Sequence, residues 1–242
     1  MGIISWLKDV FHRTGYQLVP YPSEDIRVRL DLIKKLHIDV VLDVGANIGE
    51  YAQLLRKNNY HGQIISFEPL HDEYQKLKSR AARDNHWQTM NLAIGMTDED
   101  TEINISANSV SSSIMQINKN HLEAEPKANF VGKKTVKVNK LDTLLPSIIF
   151  PGSSVMLKLD VQGYEKYALA GAIQSLPNIK IIQVEMSIKP LYENSFDSCQ
   201  CIAWLHQHGF EVYNLENGFR NLHSGQLFQV DGIFVNTRFW NY

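Results

Sequence analysis

At 242 residues, with 44% hydrophobic and 21% charged side chains, the chain has the size and make-up of one globular domain with a sizeable core. Its formal net charge of -2 supplies no global basic field to gather nucleic acid, so no nucleic-acid partner is expected. Cys199 and Cys201 stand too close in the chain to bridge each other, and no second pair completes a zinc site; free thiols in a reducing compartment are expected.

Ile3, Ile4, Leu7, Val10 and Phe11 have the spacing of a short apolar helix face, expected to dock on the protein's own core rather than on a membrane or a partner. Lys8 and Asp9 interrupt the apolar run that a secretory signal needs, and Trp6 stands where the myristoylation pattern wants Ser or Thr. No stretch approaches the roughly 20 apolar residues of a membrane span. The expectation is a cytoplasmic protein.

Ile26, Leu30, Ile33 and Leu36 then mark an amphipathic helix, followed by a buried strand at Val40 to Val44. Tyr51, Leu54 and Leu55 mark the next helix, Ile64 to Phe67 a second strand, and Tyr74, Leu77 and Ala81 a further helix. Trp87 to Leu92 reads as a third strand. Between about 95 and 140 the rhythm breaks: strands at Thr101 to Ser106 and Thr135 to Val138 flank a polar stretch holding Ser111-Ser112-Ser113. A connection that long suits a lid or sugar-binding loop, with a solvated loop as the equal alternative. The alternation resumes with a strand at Val155 to Leu159, a helix near Tyr164 to Ala172 and a strand at Ile181 to Glu185. A helix from about Ser198 to His208, ended by Gly209, precedes strands at Phe210 to Asn214 and Leu227 to Val235. The pattern predicts an α/β fold in which about seven strands form one doubly wound, mostly parallel sheet with helices on both faces. Residues 1–38 read as a short N-terminal helical extension and 39–242 as the domain, with an insertion at about 95–140.

The first strand runs into Asp43-Val44-Gly45-Ala46-Asn47-Ile48-Gly49 and then a helix. In such folds ligands bind beyond the carboxyl ends of the strands. Gly45 lets backbone approach a ligand closely and Gly49 permits tight entry to the helix. The turn lacks the Gly-x-Gly-x-x-Gly of nicotinamide-cofactor proteins. An acidic Asp43 at the strand end opposes a pyrophosphate but suits a cationic sulfonium ligand, which favours S-adenosylmethionine. Glu68, in Phe67-Glu68-Pro69 at the tip of the second strand, can accept hydrogen bonds from both ribose hydroxyls, and Pro69 stops the strand.

With Asn91-Leu92-Ala93-Ile94-Gly95, Leu141-Asp142-Thr143-Leu144, Lys158-Leu159-Asp160-Val161-Gln162-Gly163-Tyr164-Glu165 and Gln229-Val230-Asp231-Gly232-Ile233-Phe234-Val235 in the same order, the chain resembles the FkbM family of methyltransferases from about Val40 to Val235. The resemblance implies a Rossmann-like class I methyltransferase fold of seven strands and O-methylation of sugars or natural products. It implies that Asp43, Gly45 and Asn47 line the methionyl part of S-adenosylmethionine, that Glu68 holds the ribose and that Ala93 sits by the adenine. Gln162 and Tyr164 depart from it, standing where many relatives carry Glu and His.

Lys158 and Asp160 alternate on one strand and so share a face, with Asp160 at the carboxyl end. A sugar hydroxyl has a pKa far above neutrality, so its methylation calls for a proton acceptor or a metal ion. Asp160, Glu165 and Glu185 are the candidate catalytic residues, read as a carboxylate cluster for general-base catalysis. A divalent ion such as magnesium on oxygen ligands is the alternative, and no metal ligand is assigned. Glu165 as a helix cap and Glu185 paired with Lys158 or Lys189 are the structural readings of the same residues. The expected partner is a small-molecule or carbohydrate acceptor, and the sequence is compatible with a homo-oligomer. An oxidoreductase or epimerase using NAD, and a non-catalytic cofactor-binding module, stay open as other readings.

Overall fold

The computed structural model describes residues 2–16, 18, 19 and 21–240. Two helices, α1 (Ile3–Arg13) and α2 (Glu24–Lys35), precede the first strand. The main sheet comprises β1 (Val40–Val44), β2 (Gln63–Phe67), β3 (Trp87–Met90), β7 (Val155–Leu159), β8 (Ile179–Ser187), β9 (Phe210–Asn217) and β10 (Gln229–Asn236). Their order is β3-β2-β1-β7-β8-β10-β9, and only β10 runs antiparallel to its neighbours. This is the seven-stranded class I methyltransferase arrangement that the resemblance implies. The switch point lies between β1 and β7, where connections leave in opposite directions.

Central parallel strands are covered on both faces, so β1 reads as an uninterrupted buried run. Alternation divides its residues between two cores. Val40, Leu42 and Val44 pack with Leu141, Ala168 and Cys201 of α6 (Leu141–Ile148), α7 (Glu165–Ala170) and α8 (Ser198–Gln207). Val41 packs with Leu32, Ala52 and Leu77, from α2, α3 (Glu50–Lys57) and α4 (His71–Ala81).

Two expectations change. Nine stretches read as strands, but two of them leave the main sheet. β5 (Glu99–Ser106) and β6 (Phe130–Asn139) pair antiparallel in a separate three-stranded sheet, with α5 (Lys119–Ala124) between them. The third edge of that sheet is β4 (Ala93–Ile94), parallel to β6, so the run expected as one strand to Leu92 stops at Met90. The small sheet has one apolar side, where Ile103 and Val136 cover Leu70, while Lys133 and Lys134 stay in solvent. The other change concerns α1. Ile4, Trp6, Val10 and Phe11 are exposed rather than docked on the core and Leu7 is half-buried, while the Ile3 side chain lies outside what the structure describes. Cys199 and Cys201 are free thiols.

α2 is tied to the far edge of the sheet by a buried ion pair between Arg29 and Glu216 of β9. Removing one partner leaves a buried charge without compensation. Arg29→Ala should therefore destabilise the protein by about 3–5 kcal/mol, whereas replacing both partners by Met should cost far less. Denaturant unfolding of the two variants checks this; equal losses would mean the pair carries no such strain.

Candidate active site

A cavity of about 570 Å³ opens where β1, β2 and β7 end. Of the residues singled out in the sequence, Gly45, Asn47, Glu68, Ala93 and Asp160 line it. Asp43, Glu165 and Glu185 stand behind or beside that wall.

Three short-range facts shape the turn after β1. The Gly45 and Ala46 amides both donate to Phe67 O at 3.0 Å, which ends β1 against β2. Gly45 has φ +76°, and a Cβ there would sit 1.9 Å from the backbone oxygen of Asp160. The closest demand for glycine therefore comes from the neighbouring strand end. Asn47 also adopts a left-handed conformation, φ 47°, which aims its amide at Glu68 Oε2, 2.8 Å away.

Glu68 is buried and accepts from Leu70 N at 2.8 Å through its other oxygen. Burial pushes its pKa up to about 7, against the pull of the two amides. Each oxygen keeps a further lone pair beyond the amide it accepts, and Glu68 lines the cavity.

Asp43 is fully buried. Ser66 Oγ donates to its Oδ2 at 3.1 Å, and Lys158 Nζ stands 3.3 Å from its Oδ1. The same ammonium lies 3.4 Å from Asp160 Oδ2 and 5.4 Å from the centre of the Tyr51 ring. Burial works against the Lys158 charge, but Asp160, Asp43 and Tyr51 more than offset it and raise its pKa. Lys158 thus belongs to Asp43 and Asp160; Glu185 has neither lysine as a hydrogen-bonded or ion-paired partner.

Asp160 is the carboxylate of this group that reaches open space, with its side chain 40% exposed. Gln162 Nε2 donates to Asp160 Oδ1 at 2.9 Å and to Glu185 Oε2 at 3.2 Å. Glu185, half-buried, is driven well above the usual carboxylate range by burial and by the charges of Asp160, Glu165 and Asp231. Glu165 turns away from the cavity: its Oε1 accepts from Val161 N at 3.0 Å and Gly163 N at 3.2 Å, fastening the loop after β7. Among the described residues no group of three or more His, Cys, Asp or Glu side chains is arranged to hold a metal ion.

The serine run belongs to this site. Ser111 and Ser113 are buried, and Ser113 Oγ donates to Gln162 O at 2.6 Å. The Tyr192 hydroxyl bonds Gln162 Oε1 at 2.9 Å and Ser111 O at 3.0 Å. Ser112, Ser113 and Val110 line the cavity, so the loop forms part of its wall.

Sequence reasoning missed Arg29, Tyr51, Gln183 and Asp231, all of which line the same cavity. Tyr51 donates to Gln183 Oε1 at 2.8 Å, and the Arg29 guanidinium lies 5.5 Å from the Tyr51 ring centre. A signal existed for Arg29. It falls three residues after Ile26 and four before Ile33, which puts a charge on the apolar side of an amphipathic helix.

Burial raises the Glu165 carboxyl from its ordinary 4.5 to about 7. The folded protein then binds a proton that the unfolded chain releases above 4.5. Stability is full below that value and falls as pH rises to about 7, then levels. Glu165→Gln should flatten this decline by up to about 3 kcal/mol. Urea unfolding at a series of pH values measures it, and an unchanged slope would refute the buried-proton account.

The comparisons with known proteins agree in kind. The model of the methyltransferase FkbM domain matches residues 43–212. The hexuronic acid methyltransferase AglP of Haloferax volcanii is 26% identical over 167 residues, which is 67% of this chain and 64% of that protein. The chain thus spans less than two thirds of that relative's length. Among solved structures, magnesium protoporphyrin IX methyltransferase from Synechocystis with bound SAM has 13% identity and a TM-score of 0.44, covering 98% of both chains. An rRNA methylase from Streptococcus thermophilus has 9% identity and a TM-score of 0.46, covering 90% of this chain and 98% of that one. Since the family model extends over well more than half of its length, the chain belongs to the methyltransferase FkbM family.

Proposed function

We propose that this protein transfers a methyl group from S-adenosylmethionine to a hydroxyl group of a carbohydrate acceptor. Family membership supports methyl transfer, and the name of the Haloferax relative supports a sugar acceptor. The observation that carries the reading is Asp160: a carboxylate at the end of β7, opening onto a cavity that Glu68 also lines.

The cavity suits the cofactor in size and in charge. Its volume falls in the range of small-molecule sites. Its wall includes Glu50, Glu68, Asp160 and Asp231, while its cations, Arg29 and Lys158, are already paired with carboxylates. That excess of acid favours a sulfonium and an ammonium over a pyrophosphate. When bound, S-adenosylmethionine supplies an electrophilic methyl group. Glu68 would accept hydrogen bonds from the ribose hydroxyls, Ala93 would border the base, and the turn at Gly45 and Asn47 would border the methionyl part. Asp43 acts from behind, by holding Lys158.

Asp160 takes the proton of the attacking hydroxyl. Gln162 and Lys158 each hold one of its oxygens, so its orientation is set before the acceptor arrives. Glu165 and Glu185 support this carboxylate, Glu165 by fastening the loop and Glu185 through the shared Gln162 amide. The loop carrying Ser112 and Ser113 covers the acceptor side. On this reading residues 39–242 form the methyltransferase domain with an insertion at about 95–140, and 1–38 an extension. The two free thiols are in keeping with work in the cytoplasm.

Asp160→Asn should bind S-adenosylhomocysteine as the parent does yet lose at least about 100-fold in methyl transfer. A labelled-methyl assay on sugar nucleotides and oligosaccharides, paired with calorimetry, measures both; near-normal turnover would sink the role. Glu68→Ala should weaken S-adenosylhomocysteine binding about 10-fold or more, as expected for losing hydrogen bonds to a charged group. An unchanged dissociation constant, or tight binding of NAD by the parent protein, would refute the cofactor assignment.

A further inference from the structure

Among the described residues the apolar side of the first helix is largely uncovered, with Leu7 half-buried at its centre. Ile4 and Trp6 are 71% and 61% exposed, and Val10 and Phe11 each 39%. Exposed apolar side chains continue along the chain at Tyr16, Leu18, Val19 and Tyr21. Water-facing apolar surface of this continuity marks a binding face. Eleven residues are also too few for a stable lone helix in water, so α1 gains from a covering surface.

Charge says what that surface is. The polar side of α1 carries Lys8, His12 and Arg13 against Asp9. Tyr21 then borders a groove between α2 and the end of α3, where Arg27, Lys34, Lys57, His37 and His61 face a lone acid, Asp31. Residues 1–38 hold six Lys and Arg, of which Arg29 is buried against Glu216, and four Asp and Glu, while the rest of the chain holds 18 against 22. A second copy pressed on the same face would set these cations against each other. An anionic lipid surface would not, and its headgroup boundary is where Trp side chains settle. No helix among the described residues is long and apolar enough to cross a membrane.

We propose that α1 and the segment through Tyr21 dock the protein on an anionic membrane surface. The apolar side of α1 sinks into the headgroup boundary, and the cations of α1 and of the groove face the lipid phosphates. This does not depend on the reaction assigned above.

The test is co-sedimentation of the full chain with vesicles of phosphatidylcholine alone and of phosphatidylcholine mixed with phosphatidylglycerol. Binding is expected to the mixed vesicles and to fall steeply with added salt. Trp6→Ser combined with Phe11→Ser should lower that binding by about 10-fold or more, and Lys8→Glu combined with Arg13→Glu should do likewise. Unaltered S-adenosylhomocysteine affinity and thermal midpoint would show that these variants fold, since all four positions lie outside the core. The proposal is overturned if the parent chain fails to sediment with either vesicle, or if the Trp6 and Phe11 variant binds as the parent does. It is equally overturned if sedimentation equilibrium shows a dimer that the same variant dissociates, which would make a second copy the occupant.

Discussion

Parallel pairing of β1 with β7 puts Asp43 and Lys158 side by side, and much of the site hangs on that register. Two buried ionisable groups are tolerable there only because each neutralises the other. The lysine reaches past its partner to Asp160 and lies 3.4 Å from Gly45 O, so one ammonium touches the turn after β1 and the carboxylate after β7. A one-residue slip of β1 would turn Asp43 to the opposite face from Lys158 and leave its charge in an apolar core. The glycine at 45 follows from the same closeness, since the Asp160 carbonyl occupies the space of its missing side chain.

From Asp160 the order spreads outward through Gln162. Its left-handed backbone, φ 54°, is an uncommon conformation for a residue with a side chain, and bonds from Ser113, Tyr192 and within the loop hold it there. The residue that aligns the carboxylate is therefore also the one that anchors the insertion. A change in the 109–113 loop would be felt at Asp160 although the two are about fifty positions apart in sequence. Glu165 fastens the loop after β7 that carries Gln162, and burial raises its pKa as it does so.

The two helices ahead of β1 have different physical fates. α2 buries Leu32 and Ile33 in the sheet's core and sends Arg29 to the cavity, so it is part of the scaffold of the site. α1 has an apolar stripe too, but among the described residues Ile4, Trp6, Val10 and Phe11 stay exposed. Periodicity states that a helix has an apolar side; it does not state what lies opposite.

Much was legible in the residues because burial leaves a local trace. The unbroken apolar run of Val40 to Val44, the glycine turn and the acidic tip at Glu68 show a strand, a turn and a ligand-facing end without reference to the rest of the chain. Asp160 reaches the cavity as its position at a strand end implies, and Ala93 as the family resemblance implies. What the tertiary structure alone decided was adjacency. Whether Thr101 to Ser106 joins the main sheet or a second one depends on which edge is free to bond it, and Ile103 met Leu70 instead of the central core. Three carboxylates of similar sequence standing were separated in the same way. Asp160 faces open space, Glu165 satisfies backbone amides and Glu185 shares an amide nitrogen, because each orientation is fixed by partners far away in the chain. The sequence determined the elements and the chemical kind of the site. The crossovers and the buried charges determined which side chains meet, since hydrogen bonds and ion pairs are made between neighbours in space.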